Sequence, residues 1–301
     1  MYNKFLEFLL ENDPKKVISP FGLRVRQIFN PAFNMIIPFK TPTKLQIVGR
    51  ARMPKNRPVI FAATHGFKED VDNSIMTIGR NAYILVGSLE QFFKTTDGIL
   101  GWANGVILVD RLDKESRSAS KEKMVHLIKM GGSILMFPEG TWNVSPNQLV
   151  AGIFPGIYDT AKESGALVAP VATIRHGEMV YSMLGKAFDI TKYERTEGLK
   201  ILRDKMATLK WRLMEEKTPV VKRKTLPVGA EADIYWRIQT DDLKDEVHFF
   251  EHELEEKSIY KHKDITHIEE AFDFMRRMLP HHKNAFLFRG SGGPFFHRGR
   301  G

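Results

Sequence analysis

Pro58-Val59-Ile60-Phe61-Ala62-Ala63-Thr64-His65-Gly66-Phe67-Lys68-Glu69-Asp70 changes character at its midpoint. The first six residues are apolar and partly β-branched, as in a strand buried on both faces. A polar loop follows. Asp70 and Asp72 then precede Asn73-Ser74-Ile75-Met76-Thr77-Ile78, and acidic residues there suit the start of a helix. His65 falls at the carboxyl end of the strand, where α/β sheets place functional groups. A strand end and a helix start can hold the side chains of His65 and Asp70 facing each other.

That pair suits acid–base work. A neutral imidazole can take a proton from a hydroxyl, and a carboxylate beside it fixes the tautomer. The chain has no Cys, which excludes a thiol nucleophile and zinc sites built on Cys. The alternative is purely structural: His65 bonds the loop and Asp70 caps the helix.

A second string adds weight to the catalytic reading. Gly131-Gly132-Ser133-Ile134-Leu135-Met136-Phe137 reads as a turn and a buried strand, and Pro138-Glu139-Gly140-Thr141 forces an abrupt exit. Gly140 permits a positive φ or a close backbone approach to a ligand. Between the two strings lies Gly105-Val106-Ile107-Leu108-Val109-Asp110-Arg111, another strand run ending in a charged pair.

In order and spacing these blocks resemble the glycerolipid acyltransferase family that includes the 1-acylglycerol-3-phosphate acyltransferases. His65 to Asp70 matches the His-four-residues-Asp motif, Val106 to Arg111 the second block, Phe137 to Thr141 the third, and Ala169-Pro170-Val171-Ala172 the fourth. The resemblance implies that His65 is the general base and Asp70 its orienting partner. It implies that Arg111 contacts an anionic group of the acceptor, and that Glu139, Gly140 and Thr141 shape the acceptor pocket. The family's third block usually continues with Arg, where this chain has Trp142. An aromatic ring cannot replace a bidentate cation, so Trp142 either stacks on a choline-like cation or an acyl chain, or simply packs.

The implied reaction moves a fatty acyl group from acyl-CoA or acyl carrier protein to a lysophospholipid hydroxyl, in phospholipid biosynthesis. The thioester is a co-substrate, and no metal or bound cofactor is expected. The implied partners are the lysophospholipid, the thioester carrier and an anionic membrane surface, with no specific nucleic acid. The alternative on the same fold is a noncatalytic lipid- or acyl-carrier-binding protein.

Strands alternating with helices predict an α/β domain, here a mixed sheet flanked by helices over residues 43–195. The edge strand Lys44–Val48, strands at 59–63, 83–86, 106–109, 134–137 and 167–171, and helices at 116–130 and 158–164 make up this core. Residues 1–42 form an N-terminal helical segment, and Phe5, Leu6, Phe8, Leu9, Leu10, Phe21, Leu23, Val25, Ile28 and Phe29 there fit either a membrane interface or packing on the core. The prolines at 31, 38, 42, 54 and 58 separate this segment from the catalytic unit. Residues 196–288 form a helical extension, in which Leu199, Leu202, Met206, Leu209 and Leu213 are in helical register. Residues 289–301 form a Gly- and Arg-rich tail of disordered composition.

At 301 residues the chain can bury a sizeable core, and its net charge of +9 favours anionic partners. No segment reaches the roughly 18 apolar residues of a membrane span. The expected location is cytoplasmic, peripheral on the inner face of the membrane. Arg175 and His176 are a surface pair or a further cation for the pocket.

Overall fold

The computed structural model describes residues 8, 11–41, 43–55, 57–67, 69–87, 96–110, 113–140, 142–143 and 148–217. Residues 1–218 form one unit, and a second unit, residues 219–301, lies outside the described residues together with the helices and tail expected there.

Asp13 and Ser19 open the N-terminal helices. Asp13 accepts the Lys15 N–H at the start of the single turn α1 (Pro14–Val17), and Ser19 accepts that of Gly22 at the start of α2 (Pro20–Lys40). Each begins with a proline, whose missing N–H costs nothing at that position. Pro31 and Pro38 do not separate α2 from the rest. The helix runs through both. Leu23, Asn30 and Ile37, spaced seven residues apart, are buried along one stripe, and Ile37 enters the main core. That docking holds the helix despite the two hydrogen bonds the prolines remove.

The remaining elements are β1 (Lys44–Arg50), β2 (Val59–Ala63), α3 (Asp70–Ile78), β3 (Tyr83–Val86), α4 (Thr96–Asn104), β4 (Val106–Leu108), α5 (Lys114–Lys129), β5 (Ile134–Met136), α6 (Gly156–Ser164), β6 (Leu167–His176), β7 (Met179–Leu184), a 3-10 turn at Ile190–Lys192 and α7 (Arg195–Lys217). They build a mixed α/β fold around one seven-stranded sheet in the order β1-β7-β6-β2-β5-β3-β4. Strands β6, β2, β5, β3 and β4 are mutually parallel, β7 is antiparallel to β6, and β1 lies parallel to β7 at the edge. The carboxyl ends of β2, β5, β3 and β4 therefore share one edge of the sheet.

Alternation along the central strands sorts the two faces. Val59, Phe61 and Ala63 of β2, with Leu167, Ala169 and Val171 of β6, join Ile75 and Ile78 of α3 in one core. On the other face Ala172, Ile174 and Met183 meet Leu213 of α7. Helices α5 and α6 pack together, and α6 also meets β2. The hairpin of β6 and β7 exceeds the sequence reading, which ended β6 at Val171 and did not include β7. Its turn contains Gly177 at φ +59°. Polar Thr173 and Ser182 mask the strand pattern, yet both are buried, and Ser182 lies 2.6 Å from the Thr77 hydroxyl of α3.

Leu199, Leu202, Met206 and Leu213 are buried on one face of α7, which packs on β6 and β7. Among the described residues no helix is long and apolar enough to cross a membrane.

Candidate active site

The strand-loop-helix stretch from β2 to α3 brings His65 against Asp70. His65 Nδ1 lies 3.0 Å from both carboxylate oxygens of Asp70. Asp70 Oδ2 also accepts the backbone N–H of Gly66 at 2.7 Å and of Phe67 at 3.2 Å. The N-cap of α3 is Glu69, whose side chain makes no capping bond. The Asp70 oxygens are directed at the imidazole and the loop. Asp70 is fully buried, while the His65 side chain is 16% exposed. With Nδ1 directed at a carboxylate, the proton on the ring belongs on Nδ1 and Nε2 keeps its lone pair. The opposite edge of the ring is then a base.

The loop is tied down on three sides. Thr64 donates its N–H to the Val171 carbonyl and its hydroxyl accepts from Thr173, which fixes the loop entrance to β6. The His65 carbonyl accepts the Asn143 N–H at 2.6 Å. The His65 N–H donates to Glu139 Oε1 at 3.0 Å, and Glu139 Oε2 accepts from Ala151 at 2.7 Å. Glu139 is fully buried with both oxygens engaged, so it ties the loop from behind. Burial pushes its carboxyl above the ordinary value, against the pull of Lys210 and of the two N–H donors.

Gly140 has φ +75°, and a Cβ there would stand 2.4 Å from Phe154 Cε2. The close approach that demands glycine is made by a side chain of the protein. Phe137 and Trp142 flank the His65 ring at centroid distances of 4.3 and 5.2 Å. Trp142 is thus a wall beside the imidazole. Arg111 and Thr141 lie outside the described residues. Arg175, next to the last residue of β6, pairs with Glu69 at 3.3 Å at the surface.

A model of the acyltransferase family, described as Acyltransferase, matches residues 44–174, the span that contains all of these strand ends. This segment is similar in sequence to acyltransferases that act on glycerolipids. A 1-acyl-sn-glycerol-3-phosphate acyltransferase of Chlamydomonas reinhardtii is 26% identical over 143 residues, 46% of this chain and 41% of that relative. A chloroplastic 1-acyl-sn-glycerol-3-phosphate acyltransferase of Arabidopsis thaliana is 25% identical over 46% of this chain and 38% of its own length. The chain thus spans about two fifths of the length of the curated relatives it matches. The crystal structure of a 1-acyl-sn-glycerophosphate acyltransferase from Thermotoga maritima gives a TM-score of 0.48 at 18% identity, over 73% of this chain and 90% of that one.

Two residues beyond the matched segment reach this acyltransferase domain from α7. Arg203 donates to the Val150 and Ala151 carbonyls at 2.7 to 3.0 Å, beside the N–H that holds Glu139. Lys210 places Nζ 4.0 Å from the point a Cβ on Gly66 would occupy. Neither was singled out by the sequence reading, which followed only the apolar positions of this helix. A signal was present: Arg203 and Lys210 fall at i−3 and i+4 from Met206, on the buried stripe.

Proposed function

We propose that this protein transfers a fatty acyl group from a thioester, acyl-CoA or acyl carrier protein, to the hydroxyl of a lysophospholipid, 1-acylglycerol-3-phosphate in the first instance. The observation that carries the reading is the His65–Asp70 contact at 3.0 Å on a loop tied down on three sides. His65 Nε2 takes the proton of the acceptor hydroxyl as its oxygen attacks the thioester carbonyl carbon. The tetrahedral intermediate collapses with loss of the thiolate, which takes the proton back from the imidazolium. Asp70 holds the ring and stabilises its charge during transfer. The names of the curated relatives support the acceptor class. The steps use only the thioester, the hydroxyl and these side chains.

The acceptor is a membrane lipid, and α2 offers a surface for reaching it. Opposite its buried stripe, Phe21, Ile28, Phe29, Met35, Ile36 and Phe39 are exposed, Phe39 at 92% and Phe21 at 79%. An amphipathic helix with one docked face and one apolar face turned outward suits the interface of an anionic bilayer. That arrangement and the net positive charge support peripheral association.

The test is product analysis by mass spectrometry after purified protein meets acyl-CoA, or acyl carrier protein, with a panel of lysophospholipids. Acylated product that disappears in His65→Ala is the expected result. Turnover retained in His65→Ala sinks the mechanism. Lipid binding without turnover on either donor favours the noncatalytic alternative.

A further inference from the structure

The buried stripe of α7 is apolar at Leu199, Leu202, Met206 and Leu213, and Lys210 interrupts it. A half-buried ammonium in such a register is costly unless something with negative charge meets it. Asp70 and Glu139 supply a negative field, but their oxygens are taken by the His65 ring and by the N–H groups of His65, Gly66, Phe67 and Ala151. Among the described residues Lys210 makes neither a hydrogen bond nor an ion pair. The field of the two carboxylates raises its proton affinity and burial lowers it, with burial the larger effect.

The ammonium comes up to the loop beside Gly66, the residue that follows His65 and has no side chain to cover it. Trp142, packed on His65, brings no charge to this wall. Resting on the acyl-transfer reading above, we propose that Lys210 is a specificity-determining residue whose ammonium receives the phosphate of the acceptor lipid. Three N–H donors on a compact cation suit a phosphate dianion. The phosphate, once seated there, holds the rest of the acceptor beside the loop that carries His65. Arg203, one heptad earlier on the same face, fixes the 150–151 segment, so α7 brings both a structural tie and a ligand-binding cation to the site.

The test needs no turnover. Lysophosphatidate and an uncharged monoacylglycerol of the same chain length, both below their micellar concentrations, are titrated calorimetrically into wild-type protein, Lys210→Met and Lys210→Arg. We expect wild-type to prefer lysophosphatidate and Lys210→Met to bind it roughly 10- to 100-fold more weakly, with monoacylglycerol unaffected. Lys210→Arg keeps the charge and should stay within about tenfold of wild-type. Equal weakening of both lipids in Lys210→Met would show that Lys210 serves the loop itself and would overturn the proposal. Unchanged lysophosphatidate affinity, or no preference in wild-type, overturns it as well. A parallel titration with CoA separates the source of the phosphate: loss confined to CoA assigns Lys210 to the donor and overturns the proposal. Binding that depends on Lys210 in a protein without transfer activity breaks the acyl-transfer reading alone.

Discussion

At the scale of single residues, Asp70 matters through four contacts at once. It accepts from the imidazole and from two loop N–H groups, and both oxygens approach His65 Nδ1 at 3.0 Å. His65→Ala removes the base and is expected to lower kcat by roughly 100- to 10,000-fold with an unchanged circular dichroism spectrum. Asp70→Asn keeps the shape but turns one acceptor into a donor facing N–H groups, so acyl transfer should fall together with thermal stability. Glu139 gives a pH signature. Burial raises its carboxyl above the ordinary 4.5, so the folded state holds that proton more tightly than the unfolded chain does. Its contribution to stability is fully present below about 4.5 and is lost as pH rises through the raised value. In Glu139→Gln that titration is gone, and one amide N–H2 opposes a backbone donor at a cost of roughly 1 to 3 kcal/mol. Urea unfolding across pH should show the wild-type advantage over Glu139→Gln shrinking as pH rises from 4.5, and a pH-independent gap would contradict the assignment.

At the scale of elements, the loop after β5 and helix α2 each show a feature that a substitution can isolate. Gly140 combines φ +75° with the Phe154 ring at 2.4 Å from any Cβ, so alanine there is both strained and crowded. Gly140→Ala should lose roughly 1 to 3 kcal/mol in denaturant unfolding, and Phe154→Leu in the same chain should recover part of it by opening space. Helix α2 divides its apolar residues between two faces, with Leu23 and Ile37 buried and Phe29 and Phe39 exposed. Aspartate at both Phe29 and Phe39 leaves the docked face untouched. Co-sedimentation with vesicles containing anionic phospholipid should therefore drop sharply while the melting temperature stays within a few degrees, and undiminished sedimentation would remove this face from membrane binding.

At the scale of the whole molecule, the acyltransferase segment is completed by a helix outside it. Leu202 of α7 is fully buried, and Leu202→Ala should cost about 2 to 5 kcal/mol through lost burial and the cavity left behind. Global urea unfolding should show that loss in the main transition, because α7 packs on β6 and β7. Most of the elements were legible in the sequence, since strand and helix periods are local: the β2 run, the α5 and α6 patterns and the α7 register all stand where the pattern places them. So was the His65–Asp70 pair, because five residues span one loop and the chain between them has little choice of path. The course of α2 through Pro31 and Pro38 was not legible, because burial of Ile37 and its neighbours outweighs a local rule about proline. Nor was β7, whose buried Ser182 finds its partner in Thr77, 105 positions away in the chain. The local sequence by itself determined most of the strands and helices, and which His meets which Asp. Only the tertiary structure decided that Glu139 backs His65 and that Lys210 stands beside Gly66, because those contacts join residues 74 and 144 positions apart, where sheet order and helix docking set the distance.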